Sequence, residues 1–301
     1  MTSPPPVCDY EGSRYQEEFW ERGDRAYEDA CEAQALRRLI PAHGRVLLEL
    51  GAGAGRNTLR YGGFERIVLL DYSRTQLAQA RARLGDGPQF TFVAANIYRL
   101  PFVDGLFDGA TMIRTLHHMA DPSAALAEVR RVSSEGATFI LEYANKLNLK
   151  AIARYLLRRQ AWSPFGLEPI EFAALNFDFH PRAVRAWLTR VNFRVERQIT
   201  VSHFRVAWMK RAVPTKTLVM LDGLAGTTGD LWQLSPSVFV RARACGTTLA
   251  ASGFFRCPVC GGTDLTNEQS HARASGMRCG TCRRLWPLRE GIYDFKEAIE
   301  P

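Results

Sequence analysis

A glycine-rich turn flanked by two carboxylates is the part of this sequence best suited to chemistry. Residues 45–71 comprise an apolar strand that ends near Glu49, the turn GAGAG at 51–55, a short helix, and a second apolar strand that ends at Asp71. The glycines allow a sharp turn and let a ligand approach bare backbone. A carboxylate at the end of the second strand can accept hydrogen bonds from both hydroxyls of a ribose. The stretch therefore predicts a pocket for a cofactor that contains adenosine.

The residues around the turn favour one kind of adenosine cofactor. A dinucleotide fingerprint, G-x-G-x-x-G, needs a glycine where this chain has Arg56. An acidic residue such as Glu49 suits a cation better than a phosphate, and S-adenosylmethionine carries a sulfonium, an ammonium and a ribose but no phosphate. The turn resembles the first motif, E/D-x-G-x-G-x-G, of the class I S-adenosylmethionine-dependent methyltransferases, over roughly residues 10–245. A nicotinamide-dependent oxidoreductase is the alternative that dinucleotide binding would test.

This resemblance implies positions for the cofactor-binding side chains. In the family, an Asp after the third strand usually accepts a hydrogen bond from the adenine amino group. Here Asn96 stands in its place and can accept that bond without charge, with Ile97 beside it to pack on the ring. Residues 106–122 resemble the fourth strand and the following turn, where the methionine end of the cofactor meets the methyl acceptor. The implied cofactor-binding residues are Glu49, Gly51, Ala52, Gly53, Gly55, Asp71, Tyr72, Asn96, Ile97 and Arg114.

The catalytic demands of methyl transfer are modest. The protein must align the acceptor with the methyl group and exclude water, and a general base is needed only if the acceptor must lose a proton. His117, His118 and Glu142 are the candidate bases, although each histidine could equally be a buried polar residue with satisfied hydrogen bonds. Tyr15 and Trp20 are candidates for a lid over the cofactor, with core packing as the alternative for Trp20.

The turn after the fourth strand excludes some acceptors. Enzymes of this fold that methylate adenine N6 or a glutamine amide often carry an Asn/Asp-Pro-Pro-Tyr turn there, whereas this chain reads Arg114-Thr115-Leu116-His117. The acceptors that stay open are a ring nitrogen or oxygen in RNA, a carboxylate, and a small-molecule hydroxyl or carbon.

Length and composition indicate the number of domains, the size of the core and the expected location of the protein. The 301 residues suggest two domains, and a hydrophobic content of 46% is enough for a sizeable core. No apolar run approaches the ~18 residues that span a membrane, so no membrane partner is expected. The first residues lack a basic-then-apolar signal pattern, which predicts a cytoplasmic protein.

Apolar runs that alternate with helical patterns predict an α/β fold with a doubly wound, mostly parallel, seven-stranded sheet. An amphipathic helix is expected at 15–40, a basic helix at 145–159, an irregular cap at 160–180 and a helix at 181–191. The expected strands are 45–50, 66–71, 89–95, 108–113 and 137–143, followed by an antiparallel pair at 193–205 and 237–244.

Basic residues concentrate in the middle of the chain. Residues 145–245 hold 16 Lys and Arg against 6 Asp and Glu, an excess of 10 positive charges, whereas the net charge of the whole chain is +8. Such a region favours an acidic partner, for example RNA or a ribosomal or translation factor, and a solvated arginine-rich face is the equally weighted alternative.

Four cysteines near the C-terminal end have the spacing of a metal site. Cys257 and Cys260 form one C-x2-C pair and Cys279 and Cys282 another, with 18 residues between the pairs. Two such pairs complete a four-thiolate shell for structural Zn²⁺, and two disulfides are the alternative. Residues 1–245, 246–253 and 254–301 are accordingly expected to be a methyltransferase domain, a linker and a zinc ribbon. Cys8, Cys31 and Cys245 are expected to be free thiols.

The zinc-ribbon region resembles the small activator family that partners methyltransferases of tRNA, rRNA and translation release factors. Its aromatic-Pro-apolar strand corresponds to 286–288 and its acidic-Gly-Ile turn to 290–292. The resemblance implies a contact within the chain, through which the ribbon stabilises the methyltransferase domain. It also favours an RNA or translation component as the acceptor. A small metabolite or quinone-type acceptor is the alternative, and a non-catalytic adenosine-binding scaffold is the alternative of another class.

Overall fold

One mixed sheet with helices on both faces organises the chain. The computed structural model describes residues 5–14, 16–22, 24–248, 251–268 and 275–299. The helices are α1 (Ala26–Leu39), α2 (Arg74–Leu84), α3 (Pro122–Val132), α4 (Leu149–Leu156), α5 (Pro181–Arg190), α6 (Ala207–Ala212) and α7 (Thr215–Ala225). The strands are β1 (Gly44–Leu50), β2 (Phe64–Asp71), β3 (Phe90–Ala94), β4 (Phe107–Met112), β5 (Ser133–Ala144), β6 (Ile170–Ala173), β7 (Asn176–Asp178), β8 (Phe193–Val201), β9 (Ser237–Ala244), β10 (Leu265–Glu268), β11 (Gly276–Cys279), β12 (Leu285–Arg289) and β13 (Ile292–Asp294). Short helical turns lie at Gln16–Glu21, Thr58–Tyr61, Ile97–Arg99, Leu116–His118 and Gly226–Asp230.

The strand order is that of a doubly wound sheet. Strands β3, β2, β1, β4 and β5 lie side by side and run parallel. Strand β9 follows antiparallel to β5, and β8 follows antiparallel to β9. The predicted seven strands are therefore present. The order reverses between β1 and β4, so a ligand is expected beyond the carboxyl ends of these two strands.

The sequence explains where the helices of this sheet begin. The Ser73 hydroxyl accepts a hydrogen bond from the Gln76 amide and caps α2, and the Asp121 carboxylate caps α3 in the same way, before a proline in the first turn. The parallel strands are apolar because helices cover both faces of the sheet. One buried core includes Leu48 and Phe139, and the core on the opposite face includes Leu36.

Three predicted elements differ from the structure. The helix expected at 15–40 is divided into the turn Gln16–Glu21 and α1, and Asp24 lies between them with a positive φ of 49°. The basic helix expected at 145–159 is shorter, because α4 covers Leu149–Leu156 and Arg158 has a positive φ of 54°. The cap expected to be irregular contains the antiparallel pair β6 and β7.

The C-terminal strands continue the main sheet, which the sequence did not indicate. Strand β13 pairs in parallel with β3 through Ile292, Tyr293 and Asp294. Strands β12, β11 and β10 follow in that order, each antiparallel to the strand before it. The contact expected between this region and the rest of the chain is thus present. The linker expected at 246–253 includes 249–250, which lie outside the described residues, and the domain division stays a prediction.

Rings from both parts of the chain pack at this junction. Phe102, in the turn before β4, stacks on Phe255 with ring centroids 6.0 Å apart, and Phe255 also contacts Tyr293 and Phe295 at 4.9 Å. Arg256 forms an ion pair of 3.0 Å with Asp104. Among the described residues, no helix is long and apolar enough to cross a membrane.

Candidate functional site

The glycine turn lies at the carboxyl end of β1, where the sheet order reverses. Gly51, Gly53 and Gly55 have φ angles of 68°, 53° and 72°. A Cβ on Gly51 would lie 2.1 Å from the Thr115 hydroxyl oxygen, so this position also needs glycine for close approach. The turn is fixed to the sheet because the amides of Gly51 and Ala52 both donate to the Leu70 carbonyl, at 2.8 and 3.0 Å.

The two carboxylates flank this turn as the sequence predicts. Glu49 is only 4% exposed and accepts a hydrogen bond of 2.6 Å from the Thr58 hydroxyl. Burial raises the pKa of Glu49 to about 7. Asp71 accepts from the backbone amides of Gly53 and Ser73 at 2.8 and 2.9 Å, and burial raises its pKa. A carboxylate offers about four acceptor positions, so Asp71 keeps about two for ligand hydroxyls.

These residues line a cavity of about 120 Å³, which is smaller than the second cavity described below. Of the predicted cofactor-binding residues, Gly55 and Asn96 do not line it. The Asn96 side-chain oxygen instead accepts from the Tyr98 amide at 2.9 Å and caps a helical turn, while Gly55 lies over α2. Those that line it are Glu49, Gly51, Ala52, Gly53, Asp71, Tyr72, Ile97 and Arg114.

The N-terminal residues close one side of this cavity, which sequence reasoning missed. Val7, Cys8 and Tyr10 line the cavity, and no motif in this stretch signals that role. The proposed lid residue Trp20 also lines the cavity, whereas Tyr15 lies outside the described residues.

Arg56, which breaks the dinucleotide fingerprint, holds the glycine turn against α1. Its guanidinium lies 3.5 Å from the centre of the Trp20 ring and forms an ion pair of 2.6 Å with Glu32. Arg114 pairs with the other oxygen of Glu32, also at 2.6 Å. Burial opposes the charge on Glu32, but the two arginines hold its pKa below the ordinary value. Both arginines therefore have a structural role beside the cavity.

The candidate base His118 lies where the two cavities meet. It lines both of them. Its Nδ1 lies 2.9 Å from the Leu175 carbonyl oxygen and its Nε2 lies 3.2 Å from the Tyr10 hydroxyl. A carbonyl can only accept, so Nδ1 carries the proton and Nε2 has the lone pair. Burial lowers the pKa of His118, which keeps the ring neutral at pH 7.

The surroundings of the other two candidate bases, His117 and Glu142, favour a structural role. Burial lowers the pKa of His117 well below the ordinary value, assisted by His118 and Arg114. Glu142 accepts from the Ser237 hydroxyl through one oxygen and from the Arg114 amide through the other, at 2.9 Å. Burial raises the pKa of Glu142. Its two bonds support the turn in which Arg114 has a positive φ of 54°.

The wider cavity, of about 650 Å³, lies beyond His118 and is lined on one side by residues of the cap. Its size falls within the range of small-molecule sites, about 300–1,000 Å³. Asp178 is the carboxyl group that sequence reasoning missed, and burial raises its pKa to about 6. Cationic and aromatic side chains from several elements complete the lining: Arg114, Arg154, Arg159, Arg205, Tyr10, Phe19, Trp162 and Phe172.

The four spaced cysteines meet in one cluster, far along the sheet from these cavities. Their sulfur atoms all lie within 4.8 Å of one another, and no pair forms a disulfide. The Cys257–Cys282 and Cys260–Cys279 sulfur distances are 3.6 and 3.5 Å. Four sulfurs at the Zn–S distance of ~2.3 Å would be ~3.8 Å apart in a tetrahedron, so the thiols fit a zinc ion.

Comparisons with known proteins agree with this fold. Residues 48–141 match the family described as "Methyltransferase domain". "O-methyltransferase cnsE" of Penicillium expansum is 34% identical over 135 residues, which are 41% of this chain and 48% of that protein. "Demethylmenaquinone methyltransferase" of Mycolicibacterium vanbaalenii is 34% identical over 148 residues, 48% of this chain and 58% of that protein. The chain spans about half the length of the curated relatives it matches.

Two solved structures share the fold at low sequence identity. A chain from the complex between the Haloferax volcanii Trm112 methyltransferase activator and the putative methyltransferase aligns with a TM-score of 0.55 and 17% identity, over 77% of this chain and 96% of that one. A putative S-adenosylmethionine-dependent methyltransferase from Listeria monocytogenes aligns with a TM-score of 0.54 and 13% identity, over 73% and 99%. Residues 48–141 therefore resemble a methyltransferase domain, and the chain has the Rossmann-like α/β fold of the class I methyltransferases.

Proposed function

We propose that this chain transfers a methyl group from S-adenosylmethionine to an acceptor in the wider cavity. The observation that carries the proposal is the meeting of two cavities at His118, one lined by Glu49 and Asp71 and the other open to an acceptor. The two acceptor positions left on Asp71 fit the ribose hydroxyls, buried Glu49 fits the ammonium, and Ile97 fits the adenine face. When bound, S-adenosylmethionine supplies the methyl group.

His118 is our candidate general base. Its Nε2 lone pair faces the Tyr10 hydroxyl, and its ring is neutral, so it can take a proton from an acceptor that replaces this contact. The Leu175 carbonyl fixes the tautomer and the ring orientation. His117 and Glu142 stay weaker candidates, because the environment of each favours a structural role.

A small molecule is the acceptor class that the cavity supports best. The cavity has a volume suited to a small ligand, and the names of several relatives refer to O-methylation or to demethylmenaquinone. An RNA or translation component is the second candidate. It draws on the basic region 145–245 and on the fold shared with a chain solved together with a Trm112 activator.

We further propose that Cys257, Cys260, Cys279 and Cys282 hold a structural Zn²⁺. Four thiolates fill the tetrahedral shell, so no position is left for a substrate. The metal would hold the turns that precede β10 and β12, and β13, which pairs with β12, covers the edge of β3. The ribbon would thereby stabilise the methyltransferase domain of its own chain, and reduced cysteines fit the cytoplasmic location that the sequence predicts.

Methyl transfer can be tested with radiolabelled S-adenosylmethionine and separate metabolite, RNA and protein fractions of a cell extract. We expect label in the metabolite fraction. The His118→Gln variant is expected to lose about 10²–10⁴-fold in rate while its affinity for the cofactor stays near that of the parent. The matched variant His43→Gln alters an exposed histidine and is expected to keep full activity.

The outcomes separate the alternatives. Label only in RNA, with binding that weakens steeply as salt rises, would favour the RNA acceptor. Absence of transfer to every fraction, together with tight cofactor binding, would favour a non-catalytic scaffold. An unchanged rate for His118→Gln would refute the assignment of the base and leave the methyltransferase proposal intact.

A further inference from the structure

Helix α4, which lies just before the cap, exposes its apolar side to solvent, unlike most surface helices. Such helices turn their apolar side to the core and their charged side to water. In α4 the apolar side carries Leu149, Ile152 and Leu156, and two of these are largely exposed, at 61% for Leu149 and 69% for Leu156. Ala151 is the one residue of the helix that is buried. The leucines therefore do not contribute to the protein's own core.

Further apolar side chains of the cap are exposed in the same way. Leu157 is 63% exposed, Phe165 is 52% exposed and Phe172 is 62% exposed. The Tyr155 ring contacts the edge of Phe165, with centroids 6.1 Å apart, so the exposed rings are packed together. We call the exposed apolar residues of 149–172 the cap surface. A contiguous exposed patch of this kind marks an interaction site.

The charge of this segment indicates what the cap surface contacts. Residues 149–172 carry four exposed cations, Lys150, Arg154, Arg158 and Arg159, against two exposed carboxylates, those of Glu168 and Glu171. In the described part of the chain, neither Arg154 nor Arg159 forms a side-chain ion pair. Apolar and cationic side chains thus alternate on one exposed segment, which is the pattern of a helix that lies in the interface of an anionic bilayer.

The cap surface is continuous with the wider cavity. Phe172 of the cap surface lines the cavity, and so do Arg154, Arg159 and Trp162 from the same stretch, residues 149–172. A surface seated on a bilayer would therefore bring the mouth of the cavity to the lipid. We propose that the cap surface binds an anionic lipid bilayer as a peripheral contact, with α4 lying in the interface.

Two other occupants fit the same residues less well. A second copy of the chain would bring together two segments that each carry a net positive charge, which is unfavourable. RNA would pair with the arginines but would leave Leu156 and Leu157 exposed to water. An anionic bilayer satisfies both kinds of side chain, because its phosphates meet the cations and its acyl region accepts the leucines.

Vesicle co-sedimentation of the full chain tests the proposal without any assay of activity, so its outcome is independent of the proposed methyl transfer. The probes are vesicles of phosphatidylcholine alone and of phosphatidylcholine with phosphatidylglycerol. We expect binding to the anionic vesicles that weakens with salt, and little binding to the neutral ones. Circular dichroism of each variant establishes that it is folded.

Two pairs of variants separate apolar insertion from charge. Arg158→Gln with Arg159→Gln is expected to weaken binding to anionic vesicles roughly ten- to thirtyfold, at about 1 kcal/mol for each cation near the surface. Arg37→Gln with Arg45→Gln is the matched control, because both residues are exposed and lie before or at the amino end of β1, away from the cap.

The leucines require a separate comparison. Leu156→Ser with Leu157→Ser is expected to weaken binding at least tenfold even at high salt, because insertion of apolar side chains is not screened. Leu59→Ser alters an exposed leucine outside the cap and is expected to have no effect.

Three results would overturn the proposal. One is absence of binding to anionic vesicles at low salt. Another is equal binding by the cap variants and their controls. The third is a dimer of the parent chain, or a complex with RNA, that the cap variants abolish while vesicle binding is absent.

Discussion

Replacing Glu49 by glutamine is expected to stabilise the protein and to weaken its binding of S-adenosylmethionine. Burial raises the pKa of Glu49 to about 7 from an ordinary value of 4.5. Below about pH 4.5 the group is protonated in both the folded and the unfolded state, so it has no effect on stability. Between pH 4.5 and about pH 7, Glu49 ionises in the unfolded state but not in the folded state, so the free energy of unfolding falls as pH rises. Above about pH 7 Glu49 is ionised in both states, and its contribution to the free energy of unfolding no longer changes with pH.

The magnitude follows from the two pKa values. Their difference corresponds to a penalty of roughly 3 kcal/mol for a carboxylate at pH 8. Glutamine stays neutral and its side-chain oxygen can still accept from the Thr58 hydroxyl, so Glu49→Gln is expected to raise the free energy of unfolding by about 2–3 kcal/mol at pH 8. At pH 4 the parent and the variant are expected to be equally stable.

Binding is expected to change in the opposite direction. Hydrogen bonds to charged groups contribute about 1.5–3 kcal/mol, so loss of the carboxylate should weaken binding of the cofactor roughly ten- to a hundredfold. For the parent, the ionised fraction of Glu49 rises from about 3% at pH 5.5 to about half at pH 7, which predicts roughly fifteenfold tighter binding. The ligand keeps its charge over this range, because an α-amino group has a pKa of ~7.7–8.0.

Denaturant unfolding and titration calorimetry, each at several pH values, measure the two effects. Glu65→Gln is the matched control, because Glu65 is an exposed carboxylate at the other end of β2. Equal cofactor affinity of the parent and Glu49→Gln at pH 7 would refute the assignment of Glu49 to the ammonium. A variant that is less stable than the parent at pH 8 would refute the reasoning from burial.

Three further variants test other parts of the structure. Asp71→Ala removes the proposed acceptor of the ribose hydroxyls and should weaken cofactor binding about ten- to a hundredfold in calorimetry; equal affinity would contradict that role. Gly51→Ala places a methyl group 2.1 Å from a neighbouring hydroxyl, so it should lower the melting temperature more than Gly85→Ala, which has a positive φ but no atom within 4 Å; equal losses would argue against the close approach. Cys257→Ser should lose the metal in elemental analysis and expose β3 to hydrogen exchange, whereas Cys245→Ser should keep it; full metal retention by Cys257→Ser would contradict the four-cysteine site.

Local patterns in the sequence were sufficient to predict the doubly wound sheet. Each parallel strand is a short apolar run bounded by turn residues, and α2 and α3 begin at their own capping side chains, so these elements can be inferred without knowledge of their neighbours. Glu49 and Asp71 could be placed for the same reason, because the ends of adjacent parallel strands lie on the same side of the sheet. The cysteine pairs have a fixed spacing, which predicts their meeting in one cluster.

Contacts between distant segments could not be predicted in this way. Tyr10 reaches His118 across 108 positions of the chain, and the stretch that brings it there has no periodicity. The buried carboxyl of Asp178 lies in a segment of mixed aromatics and prolines. Asn96 was a reasonable choice for the adenine, but the side-chain oxygen of an asparagine before a helical turn also suits the backbone amide it caps.

The pairing of β13 with β3 has a consequence for synthesis of the chain. About 200 residues separate these strands, so at ~5–20 residues per second the ribosome makes the second roughly 10–40 s after the first. During that interval β3 is an open sheet edge, with unpaired amides and carbonyls that can join another nascent chain. The edge is covered only after all four cysteines have been made, so a shortage of metal during translation would prolong the period in which this protein is prone to aggregate.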